Sequence, residues 1–502
     1  MRAWVGLAAV AALSALIHAA AIRHARLPAQ DGLKYIRTAR AFQTADFKTA
    51  VRNADHHPLY PALIALVQPL ASAVAGPGPD SWRLAAQGVS AASSVVTLLP
   101  LFLLARRLHG ARAGLLTVFL ATLLPIPMEF GRDTLSDPLA LLLAVTSLER
   151  GSVWLEQGKV RAAWGSGLAC GLGYWTRPEV ALVGLVLALI GLTRSLVRPR
   201  HEPGPTWPQA AWIAAPMLVL IAGYAVTKGS VSEKLALRIG LGLPPASPPA
   251  AKTEPTRAVI PPKEEPELGP QPLSVAFREL AVAWLRLTGI VLTPLILAGA
   301  WLAPPSRTRD ALRLYLLVFL VLLIRHHARL GYLSMRYLLT PVVVTLPWAG
   351  WRLLRLLERL GDWLRLEGGR RRVAASFALI LMLAGGLAAQ AKPSHPSRRA
   401  HWEAGRWLAG VAPAGSAVLD TRGWAAFVAD LPAYGPWHFG QAESDPRLAF
   451  VIVEKAELVS GSHRARMLND WLEGRTRLIA EFGDSQTDAV CVFGWLGSGG
   501  GA

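Results

Sequence analysis

Residues 30–61 read QDGLKYIRTARAFQTADFKTAVRNADHHPLYP, a polar, basic stretch dotted with acids. It follows the apolar run Trp4–Ile22 and ends in Asp55-His56-His57-Pro58-Leu59-Tyr60-Pro61, just before more apolar sequence. The reading of this stretch decides the fold. If the runs on either side span a membrane, the stretch is a loop at one membrane face that carries more charge than a connector needs.

Composition supports spans. The 502 residues are 52% hydrophobic and only 17% charged, with a mean hydropathy of +0.35. Those values place the chain among polytopic membrane proteins. The net charge of +19 sits in short segments between apolar runs, so topology and lipid headgroups account for it and nucleic acid is not an expected partner. Cys170 and Cys491 are too few and too badly placed for a disulfide framework. Trp4–Ile22 is read as a signal anchor rather than a cleaved signal.

A spanning helix needs roughly 20 apolar residues. By that measure the chain is mainly α, with about eleven spans. These are Trp4–Ile22, Leu84–Ala105, Ala113–Met128, Leu135–Leu155, Ala163–Trp175, Val180–Leu196, Ala210–Val226, Ile290–Ala303, Leu314–Ile324, Tyr337–Leu354 and Ala374–Ala391. His57–Ala75 is apolar but holds Pro58, Pro61 and Pro69. It is read as a re-entrant or interfacial element, because proline interrupts the helix ladder. Arginine is concentrated in alternate loops, around 106–112, 150–161, 194–200, 307–313 and 352–372. This bias predicts a cytoplasmic N-terminus, although Arg23 and Arg26 after the first span argue the other way.

The predicted organisation is a membrane core over residues 1–391 and an extracytoplasmic α/β domain over 392–502. The core includes a first outer loop (23–83) and a Pro-rich outer insert (228–288). The middle of the insert is too rich in Pro, Glu and Lys to bury a core. In the tail, Ser416–Leu419, Ala449–Val453 and Ala489–Phe493 are expected as strands, and Ala400–Leu408 and Arg464–Leu472 as helices. Gly497–Ala502 is expected to fray.

With the N-terminus inside, four outer turns gather the ionisable residues. The first loop brings Asp31, Lys34, Tyr35, Asp55, His56, His57 and Tyr60. The second brings Glu129, Arg132, Asp133 and Asp137, the third Arg177 and Glu179, and the fourth His326, His327, Arg329, Arg336 and Tyr337. A charge at the bilayer centre costs about 2.5–3.5 kcal/mol, so such residues usually face a cavity or a partner. Each has a plainer reading too. A lone Arg or Glu at a helix end is often a snorkelling anchor, and His326-His327 could be an interfacial pair. Asp137-Pro138 could be a cap and first-turn proline, and Asp31 could cap a helix starting at Gly32.

Several of these motifs together resemble the glycosyltransferase family 39 group of GT-C transferases, which is related to protein O-mannosyltransferases and the lipid A aminoarabinose transferase. They are Asp31-Gly32-Leu33-Lys34-Tyr35, His57-Pro58-Leu59-Tyr60-Pro61, Arg132-Asp133-Thr134-Leu135-Ser136-Asp137-Pro138-Leu139, Thr176-Arg177-Pro178-Glu179 and Arg336-Tyr337-Leu338-Leu339-Thr340-Pro341. The resemblance covers roughly Met1 to Leu354. It implies transfer of a sugar from a polyprenyl-phosphate carrier to a lipid, glycan or protein acceptor, at the outer face of the cytoplasmic membrane. It makes Asp31 the catalytic acid. Arg177 and Arg336 suit the departing phosphate, because a guanidinium offers paired donors and stays charged. Asp133, Asp137 and Glu129 are candidates for holding the sugar, a second acid or a divalent metal. Tyr35, His57, Tyr60, Glu179 and Tyr337 are candidates for positioning donor or acceptor. The chain departs from the commoner Asp-Glu pair by placing Gly32 after Asp31. A secondary transporter and a membrane-anchored scaffold are the rival classes. No repeat supports the first, and the polar residues cluster at one face rather than mid-span.

Overall fold

The long apolar runs become helices because water is absent where they lie, and a helix satisfies its own backbone. The computed structural model describes residues 1–197, 207–231, 270–365, 368–390, 398–436, 438–484 and 488–497. Most of the expected Pro-rich insert, and the end 498–502, lie outside them. In chain order the helices of the core are α1 (Arg2–His24), α2 (Gln30–Thr44), α3 (Phe47–Asn53), α4 (Leu59–Ala75), α5 (Pro79–His109) and α6 (Ala111–Leu123). They continue with α7 (Pro125–Arg132), α8 (Asp137–Gln157), α9 (Val160–Tyr174), α10 (Ala181–Val197) and α11 (Trp207–Lys228). The last four are α12 (Leu273–Leu302), α13 (Arg307–Leu330), α14 (Leu339–Trp363) and α15 (Gly368–Gln390).

Each expected span falls on helical residues, and the count of about eleven crossings is not confirmed by helix length and composition. Among the described residues six helices are long and apolar enough to cross a membrane, or seven if α6 and α7, bent by 66°, form one broken span. The others are too short or too charged: α9 has 15 residues, while Arg352, Arg355, Glu358 and Arg359 interrupt the end of α14. The proline-rich stretch after His57 forms α4, a 17-residue helix with Pro69 inside. Two further boundaries differ. α12 begins at Leu273, inside the expected insert, and is broken at Gly289, whose φ of 72° lies in the left-handed region. The span expected from Ile290 is therefore the second half of a kinked helix.

The helical part packs around a large apolar cluster at Phe102, Val145, Trp154, Tyr315 and Trp348 and a smaller one at Ile36, Tyr60, Ile64 and Trp82. Helix association without a hydrophobic force between helices depends on close backbone approach at small residues. A β-carbon added at Gly167 of α9 would stand 2.2 Å from the Ile213 carbonyl oxygen of α11, and one at Gly299 of α12 would stand 2.4 Å from that of Trp348 on α14.

The tail folds as an α/β unit whose helix α16 (Arg398–Val411) packs beside a five-stranded mixed sheet. The strands are β1 (Ala417–Asp420), β2 (Ala433–Tyr434), β3 (Leu448–Glu454), β4 (Thr476–Phe482) and β5 (Val490–Trp495), in the order β2-β1-β3-β5-β4. β1 pairs in parallel with β2 and β3, and β5 runs antiparallel to β3 and β4. Gly167→Val is expected to destabilise the bundle by about 1–3 kcal/mol through overpacking at α9–α11. A thermal midpoint in detergent equal to that of wild type would show that the two helices do not approach so closely.

Candidate functional site

Asp31 and Asp137 are both first-turn acids. Asp31 lies in the first turn of α2, behind the N-cap Ala29, and Asp137 opens α8 behind the N-cap Ser136. Neither side chain serves as the cap. Both carboxylates lie where the helix dipole favours an anion, and both face arginines from distant turns.

Asp137 is the hub. Its side chain is 2% exposed. Oδ1 accepts from Arg177 Nη1 at 2.5 Å, while Oδ2 accepts from Arg336 Nε at 2.9 Å and Nη2 at 2.7 Å. Arg336 Nη1 donates in turn to Asp31 Oδ2. Arg177 Nε donates to Glu179 Oε1 at 2.6 Å, and its guanidinium lies 5.7 Å from the Tyr337 ring centre. All four expected outer turns thus contribute to one group of charges: Asp31, Asp137, Arg177 with Glu179, and Arg336 with Tyr337. The side chains of Asp31 and Arg336, 36% and 23% exposed, form its open side.

Tyr35 borders the group, its hydroxyl 2.8 Å from Ser136 Oγ. The His56 ring stands 4.8 Å from that of Tyr35. Burial works to raise the Asp31 pKa, but the Arg336 guanidinium, with His56 and Lys34 nearby, more than offsets it and holds the carboxyl below the ordinary carboxylate range. Burial also disfavours charge on Arg336, and Asp137 and Asp31 reverse that effect and raise its pKa. Tyr35 is shifted upward by burial, against the pull of the two arginines.

Other expected site residues lie elsewhere. Asp133 is only four positions from Asp137, yet its Oδ1 accepts from the backbone N–H of Ala29 and of Thr134, both at 2.8 Å, and its Oδ2 accepts from Arg398 Nη1 at 3.1 Å. Tyr60 is fully buried, with its hydroxyl donating to Ala86 O at 2.9 Å and 2.8 Å from Ser90 Oγ. It is a packing residue beneath Tyr35, with the ring centres 5.0 Å apart. His57 stacks on Tyr224 at 4.7 Å and meets Tyr174 edge-on at 5.4 Å. Glu129 is half-buried on α7. His326 stands edge-on to Tyr337 at 5.6 Å.

The divalent metal left open by the sequence finds no ligand set here. Both oxygens of Asp137 are taken by guanidinium groups and Asp133 is committed to Ala29, Thr134 and Arg398. Among the described residues no group of three or more His, Cys, Asp or Glu could hold a metal ion. The second acid of the resembled motif is excluded sterically: a β-carbon at Gly32 would stand 1.7 Å from Thr134 Oγ1.

Sequence reasoning missed Lys228, Arg398 and Trp424. Lys228 Nζ donates to the carbonyl oxygens of Val51 (3.2 Å), Arg52 (2.9 Å) and Ala54 (2.5 Å), closing the end of α3 just before His56 and His57. Its position after an apolar run was the one available signal.

Because the folded pKa of Asp31 is depressed, its stabilising contribution is complete above the ordinary carboxylate pKa and is lost as pH falls through the lowered value. The gap in thermal midpoint between wild type and Arg336→Met is therefore expected to be largest near neutrality and to narrow below about pH 4. A gap unchanged down to about pH 3 would remove the Asp31–Arg336 pair as its origin.

Residues 55–223 match the family model described as dolichyl-phosphate-mannose-protein mannosyltransferase. A search of the curated proteins returns no match. Among solved structures, the chain is similar to ArnT from Cupriavidus metallidurans. For the form bound to undecaprenyl phosphate, identity is 13%, 99% of each chain is covered and the TM-score is 0.59. For the apo form the identity is 14%, with 99% of each chain covered and a TM-score of 0.61. It is also similar to the oligosaccharyltransferase AglB from Archaeoglobus fulgidus in complex with an inhibitory peptide and a dolichol-phosphate. There the identity is 15%, the coverage 98% of this chain and 74% of that one, and the TM-score 0.52. At such identities the likeness is one of fold. The chain thus shares the fold of ArnT, with six or seven helical segments long and apolar enough to cross a membrane among the described residues and a small α/β region at its C-terminal end.

Proposed function

We propose that the protein transfers a hexose or pentose from a polyprenyl-phosphate donor to a lipid, glycan or protein acceptor. The reaction takes place at the outer face of the cytoplasmic membrane, with the N-terminus cytoplasmic and the C-terminal domain outside. The observation that carries this reading is the Asp31–Arg336–Asp137–Arg177 chain of contacts. Turns remote in sequence supply one partly open acid against Arg336, with Arg177 joined to Arg336 through Asp137, and an acid with nearby arginines suits displacement of a sugar phosphate.

Asp31 takes the proton of the acceptor nucleophile as that atom bonds to the anomeric carbon. The bond from that carbon to the phosphate oxygen breaks, and its electron pair leaves with the phosphate. Arg336 and Arg177 stabilise the growing charge. A single displacement inverts the anomeric centre. In the resting arrangement Asp31 is a poor base, because Arg336 holds it ionised and hydrogen-bonded. The donor phosphate competes for the Arg336 fork, frees Asp31 and lets its proton affinity rise, so the base is ready only when the donor is present. Asp137 keeps both arginines in place throughout. His57, set among Tyr174 and Tyr224, flanks the path from the α4 side and positions the donor.

Asp31→Asn is expected to lower transfer by about 10²–10⁴-fold while leaving folded protein in the membrane. The measurement is turnover of purified protein against a panel of polyprenyl-phosphate sugars, with mass detection of the acceptor. Near-normal turnover by the variant would remove Asp31 from this role.

A further inference from the structure

The segment leading into α2 cannot hold its own shape. α1 ends at His24 and α2 begins at Gln30, and the N-cap Ala29 has no side chain to accept an orphan N–H. Pro28 has no N–H at all. Yet each of the three residues before Gln30 is tied to a distant part of the chain. Leu27 O accepts from Arg398 Nη1 at 3.4 Å, and Pro28 O accepts from the Trp424 indole Nε1–H at 3.0 Å. Ala29 N–H is shared by Asp133 Oδ1 and Thr134 Oγ1, each at 2.8 Å. Arg398 closes the ring of contacts by donating to Asp133 Oδ2 and lying 5.4 Å from the Trp424 ring centre.

The tail side of this ring is itself braced. Asp420 accepts from the N–H groups of Arg422, Gly423 and Ala426, which fixes the turn that carries Trp424. The His401 ring stands edge-on to Trp424 at 5.0 Å. Further along α2, Arg40 Nη1 donates to Asp430 Oδ1 at 2.9 Å, so the helix meets the tail twice. On its other side, Gly32 lies against Thr134 too closely for any side chain.

We propose that Asp133, Arg398 and Trp424 are positioning residues for sugar transfer. Together they clip residues 27–29, set the direction in which α2 leaves the membrane face, and so fix where Asp31 meets Arg336. The C-terminal domain then takes part in the reaction by holding the loop that bears the base. The proposal rests on Asp31 being that base, as inferred above.

The test uses the full-length protein with Trp424→Phe, Arg398→Met, Arg398→Lys and Asp133→Asn. Amide hydrogen exchange over residues 27–36 is measured alongside kcat and KM for the polyprenyl-phosphate sugar that wild type turns over. Trp424→Phe keeps a ring for Arg398 and loses only the donor to Pro28. It is expected to speed exchange of the first α2 amides by about tenfold, the worth of one such hydrogen bond. It should also lower kcat by about tenfold or more, because small displacements of a catalytic group are costly, while KM stays within about threefold. Arg398→Met and Asp133→Asn should act in the same direction, and Arg398→Lys should recover part of the loss. Unchanged exchange over 27–36 in Trp424→Phe and Arg398→Met overturns the clip. Faster exchange with wild-type kcat overturns its role in positioning Asp31. The exchange measurement needs no substrate. A wild-type protein that turned over none of the donors would therefore sink the transferase reading separately.

Discussion

The structure depends on one buried carboxylate that satisfies two guanidinium groups. Asp137 stands at the start of α8, almost without exposure, and divides its oxygens between Arg177 and Arg336. Each arginine has a second acid, Glu179 for Arg177 and Asp31 for Arg336, but Asp137 is the one they share and the most buried, and removing one member of a buried pair typically costs about 3–5 kcal/mol. The charge balance matters as well. Asp31, Asp137 and Glu179 face two arginines, so carboxylates outnumber guanidiniums while Lys34 and His56 lie beside Asp31. A phosphate arriving at such a group cannot simply add to it. In the proposed reaction it exchanges partners, with Asp31, the most exposed of the three acids, as the one that yields.

The residues of this hub were legible because charge is rare in so apolar a chain. Asp31, Asp137, Arg177 and Arg336 each stand beside an apolar run where an ionisable group has to be accounted for. Asp133 and Tyr60 passed the same filter, yet their side chains make their contacts apart from the hub. Four residues separate Asp133 from Asp137, but Asp133 lies in the turn after α7 and Asp137 in the first turn of α8, so their carboxylates diverge. Tyr60 lies in the first turn of α4, where its hydroxyl reaches the α5 backbone rather than the site. Arg398 and Trp424 carried no local signal, because their partners are 265 to 396 positions away. No periodicity or motif records a contact of that range.

Fold legibility follows the same division. Apolar runs identified the helices, since run length and hydropathy are local properties. They do not by themselves settle how many helices cross a membrane, because shorter apolar helices such as α4 and α9 fall below spanning length. In the tail the strands β1, β3 and β5 were visible as buried apolar runs. β4 was not, since Thr476–Phe482 is an edge strand whose residues are mostly exposed and include Arg477 and Glu481. Edge strands commonly carry such charges, which discourage pairing with other chains and also hide the strand from pattern reading.

Gly32 joins these observations. In the resembled motif a second acid follows the first, and here that place is filled by the Thr134 side chain from the turn between α7 and α8. Thr134 also accepts from Ala29 N–H, so the atom that excludes a neighbour for Asp31 is one that holds the start of α2. The two features are a single packing decision. By packing the start of α2 this closely on the turn before α8, the chain gives up an adjacent carboxylate and gains a fixed direction for the one that remains. An acid at position 32 could return only if residue 134 shrank, and that change would loosen Ala29 and, with it, Asp31. The pairing of a lone acid with an arginine, in place of a pair of acids, is therefore built into how the loops meet and cannot be altered at one position.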